Sequence, residues 1–220
     1  MLGARTLILI GIATLGLAAS DASAQSLFNI PWNLPGAPPP PNPQTFLPPD
    51  ADPNYSTPGG FDNVTPENFV VRDKHPMVMG TRAQQLALYV VFDEPLAMVS
   101  DAPSAYTNEP SFRFIQDVPT SWDATKALNG EPGEFVSIAR RHGNEWYLGS
   151  LTNWSPRDLR VSLSFLGNGA YKAELYEDAP DAAQFPKHIS IRQRIVHSSD
   201  VLSLHLASGG GCAIRFVPMK

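Results

Sequence analysis

From Glu134 to the end of the chain, apolar residues recur at every second position in short runs separated by turn residues. That period decides which folds are open to the chain. FVSIAR, WYLGSL, LRVSLSF, YKAELY, HISIRQRIV, VLSLHL and CAIRFV read as seven strands, because side chains of an extended chain alternate between two faces. The connections are rich in turn residues: Arg141-His142-Gly143-Asn144, Asn153 to Asp158, Gly167-Asn168-Gly169, Glu177 to Pro186, Ser198-Ser199-Asp200 and Ser208 to Gly211. Alternation leaves one face of each sheet dry and the other wet, so two antiparallel sheets packed face to face are expected over residues 117–220. The fold class that follows is mainly β with a small helical part, an antiparallel β-sandwich.

Upstream the period becomes helical. TRAQQLALYVVF places Ala83, Leu86, Ala87 and Val90 three and four residues apart, with Thr81 available as N-cap. Pro95 stops this helix or opens another carrying Leu96, Met98 and Val99, and a third short helical segment is expected over Ala102 to Tyr106. These helices have one apolar face and need something to cover it. Residues 25–60 contain a dense proline run that includes Pro38 to Pro41; proline removes amide donors and fixes φ, so a disordered, extended linker is expected there. Residues 1–24 read as a signal peptide, with Arg5 before LILIGIATLGLA and the small residues Ala22-Ser23-Ala24 before Gln25. The alternative is an N-terminal anchor, but the apolar run is shorter than the ~20 residues a stable membrane span needs. An exported protein, periplasmic or extracellular, is the expectation.

The chemistry visible in the residues is sparse. A formal net charge of −5 with no Lys/Arg cluster argues against nucleic acid as a partner. Cys212 is the only cysteine; it lies in an alternating strand, where a small buried thiol is expected, and a site built from several thiolates is excluded. Glycoside cleavage needs two carboxyl groups, one protonated and one ionised. Asp93-Glu94 reads as a helix terminus, and Glu177, Asp178 and Asp181 as a solvated turn, so no catalytic residue is assigned. His75, His142, His188, His197 and His205 show no metal-ligand spacing, and no metal or cofactor is assigned to this chain. Gly209-Gly210-Gly211 joins two strands and reads as a tight turn rather than an anion nest. Trp122, Trp146, Trp154 and Tyr147 could stack on a sugar ring, but aromatic residues in a small sandwich more often fill its core. Trp122 and Trp154 are the weak candidates for substrate binding, and of the adjacent pair Trp146 and Tyr147 one must point inward.

YSTPGGFDNVTPENF, MVMGTRAQQLALYVVFDEPLAMVSDAPSAY, FIQDVPTSWDATKALNGEPGEFVSIARRHGNEWYLGSLTNWSPRDL, LSFLGNGAYKAELYEDAPDA and LASGGGCAIRF together resemble the C-terminal third of glycoside hydrolase family 97, secreted bacterial α-glucosidases and α-galactosidases. The resemblance implies that residues 61–116 are the last segment of a (β/α)8 barrel and residues 117–220 the terminal β-sandwich. On that reading the helices from Thr81 to Asp101 formed the barrel's outer layer, over strands found in earlier segments of the family. The family's paired carboxylates and calcium ligands also lie in earlier segments, so none carries over to a residue of this sequence. NYSTPGGF departs from the DYTPGGF of the family at the point where the likeness begins. The expectation is a truncated, exported family 97 protein that keeps the accessory sandwich and lacks catalysis by itself. The alternative is a free-standing module that binds carbohydrate or a partner. An α-linked oligosaccharide or a separate barrel-containing chain would be the partner.

Overall fold

The computed structural model describes residues 55–72 and 74–219. The signal peptide and most of the proline-rich linker lie outside the described residues. Two short parallel pairs come first. β1 (Tyr55–Ser56) runs beside β4 (Leu96–Ala97), and β2 (Asn63–Val64) beside β3 (Val78–Met79). Pro58, Gly59 and Gly60 are buried, so the last residues assigned by sequence to the linker belong to the folded unit.

Helix α1 (Arg82–Val91) forms where the 3.6-residue period predicts it. Thr81 is extended at the N-cap (φ −83°, ψ 163°) and its hydroxyl accepts from the Gln84 amide at 3.1 Å. The helix ends at Phe92, which returns to extended backbone. Pro95 does not open a second helix: Leu96–Ala97 is extended and pairs with β1. A 3-10 turn at Pro103–Tyr106 and a second helix, α2 (Phe112–Asp117), follow.

Eight antiparallel strands complete the chain: β5 (Ala124–Glu131), β6 (Phe135–His142), β7 (Glu145–Thr152), β8 (Arg157–Ser162), β9 (Tyr171–Asp178), β10 (Ile189–Val196), β11 (Val201–Leu206) and β12 (Gly211–Pro218). Seven match the alternating runs. β5 escaped the sequence reading because its exposure does not alternate and its pairing with β6 is interrupted by a bulge between Ala127 and Asn129. The sheets are unequal: six strands in the order β10-β9-β12-β7-β6-β5 face only two, β11-β8. The core between them holds Trp146, Leu148, Leu163, Phe165, Ile214 and Phe216.

The other face of the large sheet is not wet. Helix α1 lies across it, chiefly over β7 and β12, and Ala83, Leu86, Ala87 and Val90 are completely buried. The apolar helix face expected to cover barrel strands therefore covers the outer face of the sandwich instead. This corrects the reading of a helix layer without its counterpart. Small residues permit the close approach. A Cβ on Gly149 would lie 2.8 Å from the Ala87 carbonyl oxygen, and one on Gly211 would lie 2.7 Å from the Gln84 Cα. Since Leu86 and its neighbours stop contributing if the helix lifts, Gly149→Ala should destabilise the fold by about 1–3 kcal/mol, the usual cost of overpacking. A denaturant titration with an unchanged m-value measures it; equal midpoints for wild type and variant would remove the close-contact account.

Candidate functional site

The ionisable groups that the fold buries gather around the two ends of α1 and beside α2. At the N-terminus, the Thr81 amide donates to the Gly209 carbonyl at 3.0 Å and the Arg82 amide to the Pro186 carbonyl at 2.8 Å. Two of the four amides that a helix start leaves free are thus satisfied by loops of the sandwich. Those loops are fixed by Asp178 at the end of β9, whose Oδ2 accepts from the amides of Ala207 at 2.8 Å and Gly211 at 3.0 Å. A Cβ on Gly210 would collide with the same oxygen, so the glycine turn is shaped around this carboxylate. Burial pushes the Asp178 pKa up to about 6, against the lowering effect of the Thr81 side chain and the two amides.

Arg82 is the second anchor at this end. Its Nε donates to Asn63 Oδ1 at 2.7 Å, Nη2 to the Phe61 carbonyl at 2.7 Å and Nη1 to Glu109 at 2.9 Å, while the guanidinium lies 3.9 Å above the Phe61 ring. At the C-terminus of α1 the donor comes from the sheet. Arg140 on β6, almost wholly buried, donates from Nε to the Val90 carbonyl at 2.6 Å and from Nη2 to the Val91 carbonyl at 3.2 Å. Asp178 at the start and Arg140 at the end match the sign of the helix dipole, whereas the Arg82 guanidinium opposes it and is offset by Glu109.

A third cluster sits where α2 meets the sheet. Arg215 on β12 donates from Nε and Nη2 to both oxygens of Glu145 and from Nη1 to Asp117 at 2.7 Å, with Glu174 3.8 Å away. The Glu145 hydrogen bonds lead the causes that raise the Arg215 pKa. Burial raises the Glu145 pKa, but hydrogen bonds from Arg215 and Tyr147 outweigh it and hold the carboxyl below its ordinary value. A carboxylate so held is ionised at neutral pH and is unsuited to donate a proton to a leaving group.

The residues singled out by sequence do not converge. Trp122 is half-buried, its ring edge-on to Tyr147 at 5.5 Å and 5.8 Å from the Arg140 guanidinium, near the C-terminal end of α1. Trp154 packs its ring on Gly209, near the N-terminal end. Trp146 fills the core, while Tyr147 is buried on the opposite face and donates to the Asp117 carbonyl at 3.1 Å. Both are inward because both faces of the sheet are covered. Asp178 is not in a solvated turn, as its sequence context suggests, but buried at the helix end. Glu177 is also buried and is held by Arg192; Asp181 pairs with His188 at 2.9 Å on the surface. Cys212 is fully buried and its pKa is pushed well up, chiefly by burial. Among the described residues no group of three or more His, Cys, Asp and Glu could hold a metal ion. The roles of Arg82, Arg140 and Arg215 were missed; for Arg82 and Arg140 the signal was an arginine in line with the apolar period of helix or strand, whereas Arg215 lies on the face of its strand that the period assigns to water.

The raised pKa of Asp178 carries a sign for stability. The folded chain holds the proton more tightly than the unfolded chain, so the contribution is fully present below the ordinary value of 3.8 and lost as pH rises through about 6. The melting temperature should rise as pH falls from 7 toward 5, and Asp178→Asn should flatten that slope, the whole effect being on the order of 3 kcal/mol at most. Identical profiles for the two proteins would contradict the assignment. Arg140→Met keeps the apolar stem but removes the donors to Val90 and Val91. It should lower the unfolding free energy by roughly 2 kcal/mol in a urea titration.

Residues 121–217 match the family model described as glycosyl-hydrolase 97 C-terminal, oligomerisation. A retaining alpha-galactosidase from Bacteroides thetaiotaomicron is 41% identical over 160 residues, which are 72% of this chain and 24% of that protein. A probable retaining alpha-galactosidase from Streptomyces bingchenggensis is 31% identical over 60% of the chain and 20% of its own length. The chain therefore spans about a quarter of the length of the curated relatives it matches. Among solved structures, a glycoside hydrolase family 97 enzyme from Pseudoalteromonas sp. strain K8, in complex with acarbose, superposes with a TM-score of 0.62 at 43% identity, covering 64% of this chain and 23% of that one. A beta-arabinopyranosidase gives a TM-score of 0.53 at 28% identity, covering 62% of this chain and 21% of the other. Sequence and fold agree that residues 121–217 form the C-terminal domain described for glycoside hydrolase family 97.

Proposed function

We propose that residues 55–219 serve a family 97 α-glycoside hydrolase as a non-catalytic assembly module, and that the catalytic acid, base and calcium ligands are supplied by a barrel outside these residues. The observation that carries this reading is the engagement of the buried and half-buried carboxylates. Asp178 is bound to backbone amides, Glu145 and Asp117 to Arg215, and Glu177 to Arg192. No pair among them is left facing a space where a glycosidic bond could lie between an acid and a base.

The end of the molecule formed by β1 to β4 supports a barrel as the partner. Parallel strands normally occur in sheets covered on both faces, yet here they are two-residue pairs. Beside them Leu96 is 57% exposed, and Met98, Val99, Val70 and Val71 also reach solvent. An apolar surface of this kind fits a contact with further barrel elements. Sugar binding by Trp122 and Trp154 is the weaker reading, because both rings are already packed and they lie at opposite ends of α1. The signal-like residues 1–24 favour action outside the cytoplasm.

Incubation of the purified chain with aryl α-galactosides and α-glucosides, with and without calcium, should give no turnover above buffer. A separately produced family 97 barrel should then sediment with it as one species. Calcium-dependent turnover by the chain alone would overturn the proposal.

A further inference from the structure

β10 (Ile189–Val196) is the outer strand of the large sheet and packs chiefly on β9. All eight of its residues pair with β9 in unbroken register, and it contains no proline. Its outer side therefore presents amides and carbonyls available to another extended segment. The two faces of the strand differ in chemistry. Arg192 and Arg194 stand opposite Leu175 and Ala173 and point to the inner side, where the two-stranded sheet stops short. There they edge a shallow cleft floored by Leu175, Leu202 and Leu204. Ile189, Ile191 and Ile195 point to the other side; Ile191 and Ile195 are 41% and 58% exposed.

A second copy of the chain is a poor partner for this edge. In an antiparallel pair, residues directly opposite share a face, so β10 can meet another β10 only in registers that keep the arginines on one side. The central registers place Arg192 against Arg192, or Arg192 against Arg194. Like charges directly opposite are destabilising. Arg192 already holds Glu177, whereas Arg194 is exposed and has no acidic partner among the described residues.

We infer that the β10 edge is a docking site for an extended acidic polypeptide segment, one that adds as an antiparallel strand. Its carboxylates would face Arg192 and Arg194, and its alternate apolar side chains would lie beside Ile191 and Ile195. Main-chain hydrogen bonds supply affinity and the two faces supply selectivity. The inference is separate from assembly with a barrel, because neither β1 to β4 nor any glycosidic chemistry enters it.

The test is fluorescence anisotropy of the full chain with labelled eight-residue peptides, matched in length to β10. One alternates Glu and Val, one alternates Lys and Val, and one is the Glu peptide with proline at each Val position. The Glu-Val peptide should bind saturably and roughly fivefold or more tighter than the Lys-Val peptide, because the cross-strand pair with Arg194, which holds no carboxylate of its own among the described residues, changes from repulsive to attractive. The proline peptide should not bind, since it cannot complete the ladder. Arg194→Glu should reverse the preference toward the Lys-Val peptide, with Arg194→Gln as the substitute that only abolishes it if the first variant does not fold. Absence of binding, equal binding of the two Val peptides, binding of the proline peptide or indifference to both Arg194 variants would each overturn the inference. Displacement of the Glu-Val peptide by a polyanionic polysaccharide as efficiently as by unlabelled peptide would do so too.

Discussion

The fold depends on one helix held against one sheet by hydrogen bonds at both of its ends. α1 leaves free amides at its start and free carbonyls at its end, and burial on a sheet removes the water that would otherwise satisfy them. The sandwich provides the replacements. Gly209 and Pro186 accept from the first amides, Asp178 fixes the turn that presents Gly209, and Arg140 reaches from β6 to the last two carbonyls. Because the anchors lie in the sheet and its loops, helix and sandwich cannot be treated as separable domains. The boundary near residue 117 implied by the family resemblance lies close to the start of the matched residues 121–217, and α1 packs across it onto β7 and β12.

This arrangement explains the unequal sheets. A conventional sandwich would cover both inner faces with strands and leave both outer faces to water. Here α1 and α2 cover much of the outer face of the six-stranded sheet, so that sheet is buried on both sides over β7 and β12. The two-stranded sheet covers the middle of the inner face but not its margin at β10. The strand left at that margin carries arginines on one side and isoleucines on the other. In the same way the short parallel pairs at the other end leave Leu96, Met98 and Val99 without cover. Buried charge is used for holding elements together, and apolar and basic side chains are left on the open margins.

Much of this was legible in the residues. The period of two gave seven of the eight strands of the sandwich region, and Thr81 with the spacing of Ala83, Leu86, Ala87 and Val90 gave the start of α1, which ends at Val91 rather than at Pro95. The resemblance to family 97 agrees with the matched residues 121–217. β5 was not legible because an edge strand with a bulge has no consistent buried face. Leu96–Ala97 was misread because three apolar residues in four positions fit a helix as well as a strand, and only pairing with β1 decides between them. Cys212 is core, as its alternating strand predicts, and Trp146 and Tyr147 are both buried where the strand pattern asked for one; Asp178 was misread, since a carboxylate beside alanine and proline in a turn-like sequence carries no sign of the amides that will enclose it.

The sequence by itself determined the elements, because local period and capping depend on residues three or four positions apart. It also carried the resemblance to family 97 that the match over residues 121–217 bears out, because a long ordered set of matching segments does not arise from composition. The tertiary structure alone decided which face of the large sheet α1 would cover and what Asp178, Arg82, Arg140 and Arg215 would hold. It decided too which strand would be left at an edge. Those outcomes rest on contacts between residues as far apart as Val90 and Arg140 or Asp117 and Arg215, and no local pattern encodes the burial that gives such a pair its strength.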